Sequence, residues 1–292
     1  MRLDLLVSQR FGLSRRAARD AVRGGRVDLE GAAAEEPGKD VAETAKVAYF
    51  PDRPQKRSVR THLTVLFEDD DLIVVEKPAG LLTVPTADRE KDTLLARVLD
   101  YLHHRYRRRP FAGTVHRLDK DTSGALVFAR NRETARALQD LLRRHDVERE
   151  YLALVEGDPG ETGTFSNELV RDAGDTRRGV ARRGESGQQA VTHWKRLEPL
   201  RGASLVSVRL ETGRTHQIRI HFSAAGFPVL GDRVYGRREK DPGIPRQMLH
   251  ARLLGFAHPA TGRQVRVESP LPEDFQKLLR RLRRHATPSD RG

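Results

Sequence analysis

Hydrophobic positions change period along this chain, and the changes mark out its elements. Near the start Leu3, Leu6, Val7 and Phe11 recur at helical spacing until Gly12 ends the run. Ser14 then offers an N-cap to a second helix over 15–23, closed by Gly24-Gly25. Ala17, Ala18, Ala21 and Val22 give that helix an apolar side. Arg16, Arg19 and Arg23, three and four apart, give it a basic stripe. A short strand at 26–29 runs into a turn at Glu30-Gly31. Residues 32–54, rich in Ala, Glu, Gly, Lys and Pro, complete this module and its linker.

A different pattern begins near residue 61. Two β-prone runs, 63–67 and 72–75, flank the acidic turn Glu68-Asp69-Asp70-Asp71 and predict a hairpin. Residues 93–102 predict a helix with Leu94, Leu95, Val98 and Leu99 on its apolar side, followed by a basic loop at 103–110. After a strand at 125–129, Asn131 caps a helix through 145, with Ala135, Leu138, Leu141 and Leu142 facing inward. Further strands are predicted at 151–155 and 205–210, whereas 157–189, polar and rich in Gly and Arg, reads as an exposed excursion. Helices and strands mix without strict βαβ alternation. The expected fold class is α/β (α+β), a mixed-sheet domain over 61–284. A small α/β module with its linker precedes it over 1–60, and a disordered tail follows over 285–292.

Charge adds a partner to this picture. Lys and Arg number 54 against 41 Asp and Glu, a formal balance of +13. Arg clusters at 15–23, 105–109, 177–183 and 280–284, which favours a polyanion bound by phosphate neutralisation. The absence of Cys excludes disulfides, thiolate metal sites and cysteine nucleophiles. Neither a secretory signal pattern nor an apolar run of about 20 residues occurs, so a soluble, cytoplasmic chain without membrane association is expected.

Two segments concentrate chemistry. GTVHRLDKDTSG, 113–124, sets His116, Arg117, Asp119, Lys120 and Asp121 in a glycine-bounded loop. Positive neighbours favour the ionised form of such an Asp, although on spacing and charge alone the simpler account is a salt-bridged turn. In GRTHQIRIH, 213–221, a strand would put Arg219 and His221 on one face, while a helix would bring Arg214 and His221 together two turns apart. His216 and His221 are five apart with no acidic pair beside them, so no metal site is expected. GxxxxGK(S/T), GxSxG and HExxH are all missing, and the chemistry is expected to rest on side chains without a cofactor.

Taken in order, the blocks carry a resemblance. The run RLDLLVSQRFGLSRRAARDAVRGGRVDLEG resembles the small RNA-binding module first known from a small-subunit ribosomal protein, the S4 type. It implies RNA contacts by Arg15, Arg16, Arg19 and Arg23. HRLDKDTSG at 116–124 resembles the hallmark of the RluA family of pseudouridine synthases. VLFEDDDLIVVEKPAGL, EREYLALVEG, GRTHQIRIH, GFPVLGDRVYG and LHARLLGFAHPATG stand around it in the family's order. The resemblance implies that Asp119 is the catalytic carboxylate and that Arg219 pairs with it. It further implies that Tyr151 packs on the target base and that Arg117 helps displace the nucleotide. The family often has Lys two residues before that Tyr, where this chain has Arg149. The implied activity is cofactor-free isomerisation of uridine in structured RNA, large-subunit ribosomal RNA first, by a monomer. Arg107 and Arg108 in the basic loop are candidates for phosphate contacts. Transfer RNA as substrate, or an assembly role that does not need catalysis, are the competing readings.

Overall fold

A computed structural model describes residues 1–34, 36–53, 63–107, 109–171, 177–182, 184–236 and 243–284. The chain divides into two compact units, Met1–His62 and Leu63–Gly292. Arg108 and the tail 285–292 lie outside the described residues.

The first unit holds α1 (Leu3–Phe11), α2 (Arg15–Arg23), β1 (Val27–Leu29), β2 (Ala32–Ala33) and β3 (Val47–Tyr49). Gly12 takes a left-handed φ of 63° and stops α1, and Ser14 accepts the Ala17 N–H at 3.2 Å to start α2. Leu3 and Val7 pack against Ala18, Ala21, Val22 and Val27, a core confined to this unit. Antiparallel pairing places β1 between β2 and β3. Asp4, fully enclosed, receives Arg19 Nε at 2.7 Å and Arg2 Nε at 3.1 Å. Arg19 therefore ties α2 to α1, whereas Arg15, Arg16 and Arg23 stand exposed.

In the second unit the elements are β4 (Thr64–Glu68), β5 (Leu72–Lys77), α3 (Leu94–Tyr106), β6 (Gly113–Thr114), β7 (Ser123–Ala129), α4 (Arg132–Arg143), β8 (Glu148–Glu156), β9 (Thr162–Val170), β10 (Gly179–Val180), β11 (Gln188–Leu200), β12 (Ala203–Leu210), α5 (Gln217–Ala224), β13 (Leu249–Ala257), β14 (Gln264–Glu268) and α6 (Glu273–Arg284). Among the described residues they build one mixed sheet of eleven strands, ordered β10-β9-β11-β12-β8-β13-β7-β5-β4, with β14 beside β13 and β6 beside β7. Only β7 and β13 run parallel. Gly124 marks their crossing, at φ 123°, where a Cβ would lie 2.2 Å from the Ala251 carbonyl oxygen.

Alternation along the strands sends side chains to two faces. Ile73, Val75, Leu126, Phe128, Ala153, Val155, Val206 and Val208 meet Leu94, Val98 and Leu102 of α3 and Ile218 and Phe222 of α5. On the opposite face Leu138 of α4 covers Val74, Ala125 and Val127, while Phe275, Leu278 and Leu279 of α6 cover Leu152, Leu154 and Leu205. Burial on both sides explains why β7 is enclosed throughout its length.

Three expectations need correction. Residues 103–106, expected in the basic loop, continue α3, because Tyr106, four residues beyond Leu102, packs on the same core. Residues 157–189 are not merely an excursion, because β9 pairs with β11 and β10 with β9 inside the main sheet. Their polar composition reflects faces left open: five of the nine β9 positions are exposed, and only Leu169 is buried. The segment 217–224 is helix, and Arg214 precedes it, so Arg214 and His221 do not stack two turns apart. Arg214 Nε instead donates to the Gln189 carbonyl, and His221 Nδ1 meets Thr192 Oγ1 at 2.9 Å.

Candidate active site

The loop before β7, the start of β8 and the entry to α5 converge on one open cleft of about 1200 Å³. Each candidate arrives for a local reason. Thr83 fixes the loop by donating to the Leu118 carbonyl (2.9 Å) and accepting the Leu118 N–H (3.2 Å). Lys77, fully buried at the end of β5, donates to the carbonyls of Pro78, Leu81 and Lys120 at 2.6–2.9 Å. Burial pulls this ammonium down to about 7, while three carbonyl acceptors match its three hydrogens. Asp119 is thereby held between two anchored neighbours, its side chain about one quarter exposed.

Arg219 lies on the first turn of α5 and is almost enclosed, its side chain 5% exposed. Its Nη1 donates to Asp119 Oδ2 at 2.9 Å. Its other edge, Nε and Nη2, grips Asp232 at 2.7 and 2.9 Å. Burial alone would lower the affinity of Arg219 for its proton, but the two carboxylates outweigh it and hold that affinity above the ordinary value. Asp232 shows the mirror case. Burial raises it, yet Arg219 and the N–H groups of Tyr235 and Val234 bring it below the usual carboxylate range. Arg219 thus has no freedom to swing away from Asp119.

Tyr151 projects from β8 on the same face as Ala153 and Val155, two positions beyond Arg149. Burial pushes its phenol upward, so it is a neutral hydroxyl at neutral pH. Arg149 donates to the Glu211 carbonyl at 2.9 Å and pins the segment leading to α5. Gly213 sits against it, since a Cβ there would come within 2.7 Å of Arg149 Nη1. Arg117 is exposed at the cleft wall. His116 accepts the Val127 N–H at 3.3 Å and is driven down to about 3 by burial, which leaves it neutral.

The structure brings Asp119, Tyr151, Arg219 and Arg117 to one cleft. Arg107 caps the end of α3 and does not line it, and Arg15, Arg16, Arg19 and Arg23 belong to the first unit. Two contributors, Asp232 and Tyr235, were not singled out from sequence, and a third, His216, was weighed there only as a metal ligand. All lie in the blocks GDRVYG and GRTHQIR, and the recurrence of charged and aromatic residues there was the available signal. Among the described residues, Asp69, Asp71 and His258 form a cluster with metal-like spacing. Its groups are already engaged: Asp69 Oδ1 accepts the N–H of Asp71 and Leu72, and Asp71 Oδ1 accepts from Asn131. His258 Nδ1 accepts from Ala260 and Thr261, and its Nε2 lies 2.9 Å from Asp69 Oδ2 without the angle of a hydrogen bond. These bonds shape the turn between β4 and β5.

A carboxylate locked to a buried guanidinium, in an arginine-walled cleft wide enough for a nucleotide, fits an enzyme that acts on a nucleic acid. Comparison with known proteins fixes which kind. The RNA pseudouridylate synthase profile matches residues 71–224, and the S4 domain profile matches residues 1–47. The chain is 41% identical over 233 residues to ribosomal large subunit pseudouridine synthase D of Xanthomonas campestris, covering 76% of this chain and 70% of that one. It is 36% identical to an uncharacterized RNA pseudouridine synthase of Mycobacterium bovis, covering 97% of this chain and 94% of the other. The solved structure of human RNA pseudouridylate synthase domain containing 4 superposes with a TM-score of 0.64 at 25% identity, over 75% of this chain and 92% of that one. This chain belongs to the RNA pseudouridylate synthase family, with an S4 domain at its N-terminal end. Among its described residues no helix is long and apolar enough to cross a membrane.

Proposed function

We propose that this protein converts uridine to pseudouridine in large-subunit ribosomal RNA, with Asp119 as the catalytic carboxylate. The observation that carries the reading is the asymmetry of that carboxylate: Oδ2 is held by Arg219, itself locked by Asp232, while Oδ1 accepts no hydrogen bond from the described residues and Asp119 lines the cleft. The named Xanthomonas relative supports ribosomal RNA as the substrate class.

The reaction breaks the bond from ribose to base nitrogen, turns the uracil and rejoins it through a ring carbon. No atom is gained or lost. Oδ1 is the edge available to attack or to assist elimination, and a fixed Arg219 keeps that edge aimed throughout. The target base must first leave its stack, costing a few kcal/mol that contacts from Arg117 and Arg214 to phosphates offset. Tyr151, enclosed and neutral, offers a flat face and a hydroxyl to the extruded base. In the first unit, the exposed Arg15, Arg16 and Arg23 add RNA contacts of their own.

Asp119→Ala is expected to lower single-turnover product formation by at least roughly three orders of magnitude, read by carbodiimide labelling and reverse-transcription stops. Its melting temperature should stay near wild type, because Arg219 keeps Asp232. Wild-type modification by the variant rejects the assignment. Transcripts of large-subunit ribosomal RNA and of transfer RNA, compared side by side, decide the substrate class. Full rescue of a deletion phenotype by the same variant would move the biological role to assembly without catalysis.

A further inference from the structure

His216 is the one residue beside the carboxylate whose backbone is itself unusual. It stands immediately before α5 with φ 60° and ψ 16°, the left-handed region. A non-glycine residue held there is strained, and such strain gathers where a side chain must be aimed. Here the aim is specific. His216 Nδ1 lies 2.9 Å from the Tyr235 hydroxyl, and the two rings meet edge-on with centroids 5.5 Å apart. Nε2 then points at Asp119 Oδ1, 3.9 Å away. Tyr235 is fixed in turn, since its N–H donates to Asp232. Burial keeps the imidazole neutral against the opposing pull of Asp119, and a neutral ring carries one N–H. With Tyr235 donating to Nδ1, that hydrogen sits on Nε2. The other tautomer would set a nitrogen lone pair against a carboxylate.

A separation of 3.9 Å is too long for a direct hydrogen bond, yet shorter than two bonds of about 2.8 Å laid end to end. One atom fits between at bonding distance from both. That atom must accept from Nε2–H and donate to Oδ1. Uracil carbonyls only accept and the uracil N–H only donates, whereas a hydroxyl does both. Within an RNA strand the 3′ and 5′ oxygens are esterified, so on the substrate the 2′-hydroxyl is left, and a bridging water is the alternative that additive losses would reveal.

We propose that His216 Nε2 and Asp119 Oδ1 clamp the 2′-hydroxyl of the target uridine between them, making His216 the residue that reads ribose and seats the sugar against the carboxylate. The inference rests on the reading of Asp119 given above.

The test is a coupling measurement. Oligoribonucleotides spanning the uridine mapped with wild-type enzyme carry either ribose or 2′-deoxyribose at that position. Each is reacted under single-turnover conditions with wild type, His216→Asn and His216→Gly. Asn and Gly both tolerate the left-handed backbone, and melting curves confirm that each variant folds. On the ribose substrate both variants should be slower by roughly tenfold or more. On the deoxy substrate the wild type should be slowed, and the variants should lose nothing further. Equilibrium affinities for the same oligonucleotides supply the same coupling if turnover of the deoxy substrate falls below detection. Additive losses, or an unchanged rate of His216→Asn on ribose, overturn the clamp. Asp119→Ala is run beside them: activity there rejects the catalytic reading itself, a result separate from additivity.

Discussion

Asp232 binds more of this site together than any residue that touches the cleft. Its enclosed carboxylate takes Arg219 through two bonds and two backbone N–H groups besides. Asp232→Asn keeps the shape and removes the charge, leaving a buried guanidinium with Asp119 alone. Breaking such a pair costs about 3–5 kcal/mol, which for a unit of this size lowers the melting temperature by roughly 10 °C. Activity should fall with it, and a variant that melts with wild type would dismiss the role. A second consequence at this scale concerns acid. His221 and His250 are fully buried, and burial drives both down to about 4. They are neutral when folded but gain protons in the unfolded chain below about pH 6.5, so acid favours unfolding. Their contribution is complete above about pH 6.5 and is lost as pH falls toward about 4. Urea midpoints measured from pH 7.5 to 4.5 should decline over that window, less steeply in His221→Gln. A flat profile would contradict the burial of these rings.

Among the elements, those closed by local chemistry were legible in the sequence. Ser14, Thr93 and Asn131 each accept an N–H three residues on; the helices after Ser14 and Asn131 begin where their caps predict, and periodicity alone placed the start of α3 to within one residue. The apolar run of β7 was equally plain. β9, β10 and β11 were not, because open-faced strands read as polar loop and their partners are distant in sequence. The helix at 217–224 was ambiguous for a different reason: six of its residues are buried, which erases the one-sided pattern that separates helix from strand. Within the site, Asp119, Tyr151 and Arg219 were reached through resemblance, since spacing and charge favoured a mere turn. The links from Asp232 to Arg219 and from Tyr235 to His216 join positions that a single sequence gives no reason to pair. Glycine gives an element-scale test. Gly124→Ala drives a Cβ into the Ala251 carbonyl where β7 crosses β13, and should abolish soluble folded protein. Gly80→Ala has a similar positive φ but open space around it, and should cost only about 1 kcal/mol. Equal tolerance of the two would refute the close approach of those strands.

At the scale of the whole molecule, two separate cores mean two separable stabilities. Among the described residues, the core of Met1–His62 contains no residue of the second unit, and the second unit's clusters contain none of the first. Residues 63–292 produced alone should therefore melt cooperatively. Their RNA affinity should be weaker, with a logarithmic salt slope shallower by about two to three, as losing the phosphate contacts of Arg15, Arg16 and Arg23 requires. Non-cooperative melting of that fragment would reject the division. The order of the sheet carries a last consequence, for the birth of the chain. β13, one of the final strands to be made, is the strand that lies between β7 and β8. Until residue 249 and its followers leave the ribosome, the loop of Asp119 and the strand of Tyr151 belong to two unjoined half-sheets. A nascent chain is therefore inert. A polypeptide released before β13 leaves the β8 edge that β13 would pair without a partner, and is expected to be a product for proteases rather than a weak enzyme.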